Sequence, residues 1–194
     1  MSKLDQIKKL REITGLSIME CKKALEETGY DLEKAKIVLK SKIGELALKK
    51  TERKTGEGII ESYIHPNRKI GAMLEILCES DFVAKSEDFQ KLAHEICLQI
   101  AAQNPRFVRP EDVPEEFLAG ERKIFQEQLK NSGKSKKLVD EIVENKLKKY
   151  KEEISLISQP WIRDETRTIK DLIDEYIAKF GENIVIKRFV RYEI

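Results

Sequence analysis

A three-residue segment, Asp81-Phe82-Val83, follows shortly after an apolar run that ends at Cys78. The pattern of this run alternates, which is typical of a strand, and the end of a strand is a rigid place on which to mount an aromatic side chain. Mounted there, Phe82 would act without covalent chemistry, as a wedge for a pocket in another protein, with Asp81 fixing its orientation. A second interpretation stays open, in which Phe82 packs beneath the next helix of its own fold.

Covalent and metal-dependent chemistry find little support. The two histidines, His65 and His94, have no Cys, Ser or carboxylate partner at a spacing typical of catalysis. The segment Gly56-Glu57-Gly58 lacks the third glycine and the Lys-Ser/Thr pair of phosphate-binding loops. Acidic residues are scattered and do not cluster as metal ligands do. We therefore predict a binding protein and not an enzyme, with no catalytic residue, no metal site and no cofactor.

The composition is typical of a soluble protein in a reducing compartment. Of the 194 residues, 40% are hydrophobic and 37% are charged, and the three cysteines lie in apolar patterns without CxxC spacing. The sequence has no apolar run long enough to span a bilayer and no secretory signal. We expect a cytoplasmic location and no membrane contact, and the net charge of +2 argues against direct binding to nucleic acid.

Residues 1–50 carry three short helical patterns. The first breaks at Thr14-Gly15, the second opens on the S-x-x-E capping box of Ser17-Ile18-Met19-Glu20, and the third opens on Asp31. Helices this short are marginal alone and must share one core. We predict a three-helix module over residues 1–50 and a charged linker over residues 51–56, for which a solvated helix end is the alternative.

Residues 57–194 combine strands with helices and are predicted to form one core domain. A hairpin turns at Pro66-Asn67-Arg68, and alternation in its second strand predicts five core-facing side chains: Ile70, Ala72, Leu74, Ile76 and Cys78. A helical stripe follows at Phe89, Leu92, Ala93, Ile96, Cys97 and Ile100.

Three more helices and a closing strand follow. The first helix runs from Pro114 towards Gly133, the second covers 136–150, the third starts at the capping box of Thr168, and a strand covers 184–194. The lysines of the second helix are interpreted as a solvated face, with RNA binding as the minor alternative. The predicted class is α+β: a three-helix module, then a small antiparallel three-stranded sheet covered by helices.

Two separated segments of this chain resemble the signatures of the bacterial elongation factor Ts family. Residues Leu10–Gly15 with Cys21–Leu25 are similar to its N-terminal signature, of ubiquitin-associated type, and Glu79–Ala84 to its second. Later blocks are echoed by Gln159-Pro160 and Gly181–Phe189. Ser80 stands where the family usually has threonine, which keeps the hydroxyl. The chain ends at Ile194 and so resembles the short form of the family, which has one core subdomain.

This resemblance implies a guanine-nucleotide exchange factor for elongation factor Tu. Phe82, supported by Asp81 and Val83, would insert between helices of the partner's nucleotide-binding domain and disturb the bound Mg²⁺, so that GDP leaves and GTP can load. The N-terminal module would dock on the same domain through Leu10, Arg11, Ile18 and Met19. His65, at the hairpin tip, would reach the partner's third domain.

The short form further implies a homodimer, so that two copies supply the full contact set in a complex with two copies of elongation factor Tu. The alternative function is a peptide-binding adaptor, because modules of the ubiquitin-associated type often hold short peptides. That alternative leaves the hairpin, Phe82 and the closing strand without a role.

Overall fold

The computed structural model describes residues 2–130 and 135–194, and within these ranges it has eight α-helices and five strands. In chain order they are α1 (Lys3–Thr14), α2 (Ile18–Glu27), α3 (Leu32–Leu48), β1 (Glu57–Ile64), β2 (Ile70–Cys78), α4 (Asp81–Ala84), α5 (Glu87–Gln103), α6 (Glu115–Leu129), α7 (Lys136–Glu153), β3 (Pro160–Trp161), β4 (Asp164–Thr168), α8 (Ile169–Phe180) and β5 (Val185–Glu193). The predicted α+β class is confirmed, with N-terminal helices followed by a three-stranded antiparallel sheet.

The first three helices share one small core. Helix α1 begins at a reciprocal capping box of Ser2 and Asp5 and ends at Gly15, which has a left-handed backbone. Only one of the two bonds of the capping box predicted for α2 is present. Ser17 Oγ accepts from the Glu20 amide at 3.2 Å, while the Glu20 carboxylate lies 3.8 Å from Lys23 Nζ of the same helix. The buried residues of this core are Ile7, Leu10, Leu16, Cys21, Ala24, Leu25, Ala35 and Leu39.

A three-stranded sheet in the order β1-β2-β5 organises the larger core. The predicted hairpin is present, with Ile64 of β1 opposite Gly71 of β2. The predicted core face of β2 is confirmed, since its last four members are buried and Ile70 is half-buried. All six residues of the predicted stripe on α5 are also buried, and α5 packs against β1 and β2. Helix α8 completes this core with Leu172, Ile173 and Ile177.

The opposite face of the sheet is exposed and largely apolar. Its exposed hydrophobic side chains are Ile60, Ile64, Met73, Val190 and Tyr192. The charged residue Glu75 on this face is paired within the sheet, because it bonds to Lys187 and Arg188 of β5 at 2.9 and 2.6 Å. These bonds hold the pKa of Glu75 below its ordinary value. We call this surface the outer sheet face.

Two features lie outside the central sheet. Helices α6 and α7 pair around a third core of Val113, Leu118, Val143 and Leu147. The predicted helix end at Gly133 lies outside the described residues. A short ribbon of β3 and β4 was not predicted; its Trp161 is half-buried against the larger core, with the Arg167 guanidinium 4.8 Å from the ring centroid.

The three-helix module packs on the core through α3 and α8. Ala47, near the end of α3, belongs to the larger core, while Ala178 of α8 packs against the core of the module. The two units therefore share side chains across their boundary. The division into residues 1–50, 51–56 and 57–194 stays a prediction.

Gly58 allows β1 to approach β2 closely. A Cβ built at this position lies 2.2 Å from the carbonyl oxygen of Ile76, which is backbone and cannot move aside cheaply. We expect Gly58→Ala to lower the free energy of unfolding by about 3 kcal/mol, measured by urea denaturation. The control is Gly120→Ala on α6, where nothing lies within 4 Å of the added Cβ. This change should raise stability by about 1 kcal/mol, and equal effects at both glycines would contradict the close-approach account.

Candidate partner-binding site

Phe82 lies on α4, a single helical turn that follows β2 after Glu79 and Ser80. Its side chain is 82% exposed, which excludes packing beneath the next helix. One detail of the prediction is wrong: the aromatic residue is carried by a helical turn and not by the end of the strand itself. The physical reason is Ser80, whose hydroxyl caps the turn by accepting from the Val83 amide at 3.3 Å.

The inner side of α4 is fixed by burial. Val83 and Ala84 are 6% and 5% exposed and belong to the larger core, so the turn is anchored on one side while Phe82 faces outward on the other. The hydroxyl of Ser86, which caps α5, donates to the Val83 carbonyl at 2.7 Å. Val83 is therefore a supporting residue beneath Phe82, and its side chain does not form part of the exposed surface.

Asp81 is exposed beside Phe82 and is paired within its own turn. Lys85 Nζ donates to Asp81 Oδ2 at 2.7 Å, and this hydrogen bond holds the pKa of the Asp81 carboxyl below its ordinary value. The same bond raises the pKa of Lys85. Both groups are thus charged at neutral pH, and the turn that carries Phe82 presents one negative and one positive group.

The carboxylate of Glu182 binds the chain just before α4. Its Oε2 accepts from the amides of Glu79 and Ser80 at 3.2 and 3.0 Å, and its Oε1 accepts from the Ser80 hydroxyl at 2.7 Å. Glu182 reaches this place because α8 ends at Gly181, whose left-handed backbone turns the chain back towards β2. Sequence reasoning missed this contact; the signal was a glutamate immediately after a helix-ending glycine.

Asn183 extends the same network to the segment after α3. Its backbone N–H donates to Glu79 Oε1 at 2.6 Å, and its side-chain Nδ2 donates to the carbonyls of Thr51 and Arg53 at 3.2 and 2.8 Å. Asn183 is 3% exposed, so these bonds are sheltered from water. The predicted linker is therefore held against the core at its first residues.

The residues expected on the N-terminal module divide into two groups. Arg11, Ile18 and Met19 are exposed, the last two by 52% and 61%, and can contact a partner. Leu10 cannot, because its side chain has 0% exposure and lies in the core of the module. The expectation that Leu10 forms part of a docking surface is corrected, since it faces the inner side of α1.

His65 lies at the tip of the β1–β2 hairpin, as expected, and is exposed. Its Nδ1 is 3.0 Å from the hydroxyl of Tyr63. The predicted residues thus lie on three separate elements: the turn α4, the module and the hairpin tip. Within residues 2–130 and 135–194, no group of three or more His, Cys, Asp or Glu side chains is arranged to hold a metal ion. No helix of this part of the chain is both long and apolar enough to cross a bilayer.

Comparison with known proteins decides the family. The family model described as elongation factor TS matches residues 5–194. This chain belongs to the elongation factor Ts family. Curated relatives named elongation factor Ts include that of Coprothermobacter proteolyticus, 52% identical over 97% of this chain and 95% of its own length. Another, from Thermotoga petrophila, is 51% identical over 98% of this chain and 95% of its own length.

Membership in the elongation factor Ts family confirms the resemblance drawn from the two signature segments. The segment Glu79–Ala84 contains α4 and the two residues that Glu182 binds. The later block that starts at Gly181 supplies Glu182 and Asn183. Two of the segments that carry the resemblance, about a hundred positions apart in sequence, therefore meet at the residues that lead into α4.

The contrast between Phe82 and Val83 is testable by stability alone. Because Phe82 is exposed and Val83 is buried, Phe82→Ala should change the free energy of unfolding by less than about 0.5 kcal/mol. Val83→Ala should lower it by about 2 kcal/mol through lost burial and a residual cavity. Urea denaturation of both variants measures this. A loss of 2 kcal/mol or more in Phe82→Ala would mean that the ring packs within its own fold.

Proposed function

We propose that this protein binds elongation factor Tu in its GDP-bound and nucleotide-free states and accelerates the release of GDP, with Phe82 as the side chain that enters the partner. The observation that carries this proposal is an aromatic ring that is 82% exposed on a turn whose other side is buried, in a chain of the elongation factor Ts family. A large exposed aromatic group on a rigid support is the kind of residue that forms the centre of an interface.

The mechanism is differential binding. If this protein binds the nucleotide-free partner more tightly than the GDP-bound partner, it must lower the affinity of the partner for GDP by the same ratio. Entry of Phe82 between helices near the Mg²⁺ site displaces the partner from its GDP-bound conformation. Each tenfold gain in release requires about 1.4 kcal/mol of such differential binding. Released GDP is then replaced by GTP from solution.

The other predicted site residues have separate roles in this proposal. Val83 fixes the turn from beneath, and Asp81, paired with Lys85, supplies charge beside the ring. Arg11, Ile18 and Met19 dock the N-terminal module on the partner's nucleotide-binding domain, with Leu10 holding α1 in place beneath them. His65 contacts the partner's third domain. The protein makes and breaks no covalent bond, needs no cofactor and works in the bacterial cytoplasm.

We also propose that the protein pairs with a second copy of itself through the outer sheet face, giving a complex of two factors with two partners. The face is apolar at Ile60, Met73 and Val190, and its two facing charged residues, Glu75 and Arg188, are paired with each other within the same chain. In a two-fold symmetric contact the same surface patch is used by both copies, so an unpaired charge near the symmetry axis would lie close to the same charge of the other copy. Because Glu75 is paired with Arg188 within the same chain, it does not meet its own copy as an unpaired charge.

Release of fluorescent GDP from purified elongation factor Tu tests the exchange proposal. We expect the wild-type protein to accelerate release strongly, and Phe82→Ala to lose about 30-fold or more of this acceleration, as for an interface residue worth about 2 kcal/mol. Ile124→Ala is the matched control, because it removes a half-exposed apolar side chain from α6. Full acceleration by Phe82→Ala would reject the role of the ring. Binding of elongation factor Tu without acceleration by the wild type would favour an adaptor.

Sedimentation velocity tests the self-association. We expect a dimer at micromolar concentration and a monomer for Met73→Glu, which places a charge at the centre of the outer sheet face, opposite Val190 of the neighbouring strand. Ile124→Glu on α6 is the control and should stay dimeric. A wild-type protein that is monomeric at these concentrations, yet fully active in exchange, would contradict the proposal.

A further inference from the structure

The turn that carries Phe82 does not hold its shape alone. Helix α4 has four residues, and a single helical turn fixes several dihedral angles for very few hydrogen bonds. Burial of Val83 and Ala84 anchors its inner side. The two residues that lead into it, Glu79 and Ser80, are held by groups from the loop after α8.

In all three hydrogen bonds between Glu182 and residues 79–80, the Glu182 carboxylate is the acceptor. The amides of Glu79 and Ser80 donate to one oxygen, and the hydroxyl of Ser80 donates to the other. An ionised carboxylate accepts at both oxygens, so it satisfies all three donors at once. The bond from the Ser80 hydroxyl also fixes that oxygen where it accepts the Val83 amide and caps α4. Glu182 is thus connected to the helical turn through the Ser80 hydroxyl.

The contact is reciprocal. While Glu182 accepts from the amides of Glu79 and Ser80, Glu79 Oε1 accepts from the amide of Asn183, and Arg53 Nη1 lies 3.6 Å from Glu79 Oε2. Each loop therefore binds the backbone of the other through a carboxylate. The buried thiol of Cys78 donates to the Ser80 carbonyl. Burial raises the pKa of this thiol to about 11, with a smaller contribution from the negative charge of Glu182. The thiol remains protonated and keeps this bond at neutral pH.

We propose that Glu182 is the positioning residue of Phe82: through Ser80 and the backbone of residues 79–80 it fixes the direction in which the ring leaves the surface. The inference rests on the proposed exchange function. A side chain that is already held in its bound orientation loses less conformational freedom on entry into a partner. Loss of Glu182 should therefore reduce the entry of the ring more than the docking of the N-terminal module.

The test combines Glu182→Ala, Glu182→Gln and Glu127→Ala, the last as a control that removes an exposed glutamate of α6. GDP release from elongation factor Tu is measured over a range of factor concentrations, which separates the maximal release rate from the concentration for half-maximal effect. We expect Glu182→Ala to lower the maximal rate about tenfold while the half-maximal concentration changes less than threefold. Glu182→Gln keeps one oxygen that can accept from the two amides. Its maximal release rate should therefore lie between those of Glu182→Ala and the wild type.

A double-mutant cycle with Phe82→Ala connects the effect to the ring. If Glu182 acts by positioning Phe82, Glu182→Ala should cause no further loss of release in the Phe82→Ala background. Equal losses in both backgrounds, or an unchanged maximal rate in the single variant, would overturn the proposal. So would a parallel loss of binding, release and thermal stability, because that pattern indicates a general role in the fold.

Hydrogen exchange distinguishes failure of this inference from failure of the exchange function. Peptides covering residues 79–86 should exchange faster in Glu182→Ala than in the wild type, while peptides from α1–α3 stay unchanged. Faster exchange in this segment, together with full GDP release by Phe82→Ala, would show that Glu182 holds the turn but that the turn does not drive exchange. Unchanged exchange in the segment would overturn the positioning role itself.

Discussion

The carboxylate of Glu182, bound by two amides and one hydroxyl of residues 79–80, ties the end of α8 to the entry of α4. This contact joins positions that are about a hundred residues apart, and burial of Val83 beneath the turn completes the support. Here the backbone is fixed on both sides of Phe82, so the ring stays in solvent.

Two other exposed surfaces, one on the three-helix module and one on the sheet, differ from α4 in character. The three-helix module has a small core with few aromatic residues and depends on α8, against which α3 packs. Its exposed Ile18 and Met19 lie on α2, whose inner side holds Cys21 and Leu25. The outer sheet face is broad and apolar. In the proposed function, α4 with the module forms the contact with elongation factor Tu, while the sheet forms the contact with a second copy.

Much of the fold follows from periodicity and end signals. The alternation along β2 and the stripe on α5 predict buried faces correctly, because each has a run long enough for one period to dominate. The short ribbon of β3 and β4 was not predicted, since two residues at Pro160-Trp161 are too few to show an alternation. Leu10 was expected at the surface because it belongs to a signature segment, yet its spacing with Ile7 already indicated the inner side of α1.

The candidate site was only half accessible to sequence reasoning. Phe82 is conspicuous because a large aromatic residue stands between charged and small neighbours after a strand. Its support is not visible in the same way, because Glu182 and Asn183 come close to it only through the sheet and α8. Local patterns cannot report a hydrogen bond between residues so distant in sequence. The serine cap of α4 is local, but the group that orients its hydroxyl is not.

The most direct test places a photo-reactive benzoylphenylalanine at position 82 and irradiates the protein with elongation factor Tu. We expect a light-dependent cross-link to the nucleotide-binding domain of elongation factor Tu, and suppression of that cross-link by excess GDP with Mg²⁺, since GDP and the exchange factor weaken each other's binding. Cross-links found only within the protein's own chain, or only to another domain of the partner, would contradict the claim that this side chain enters the nucleotide-binding domain.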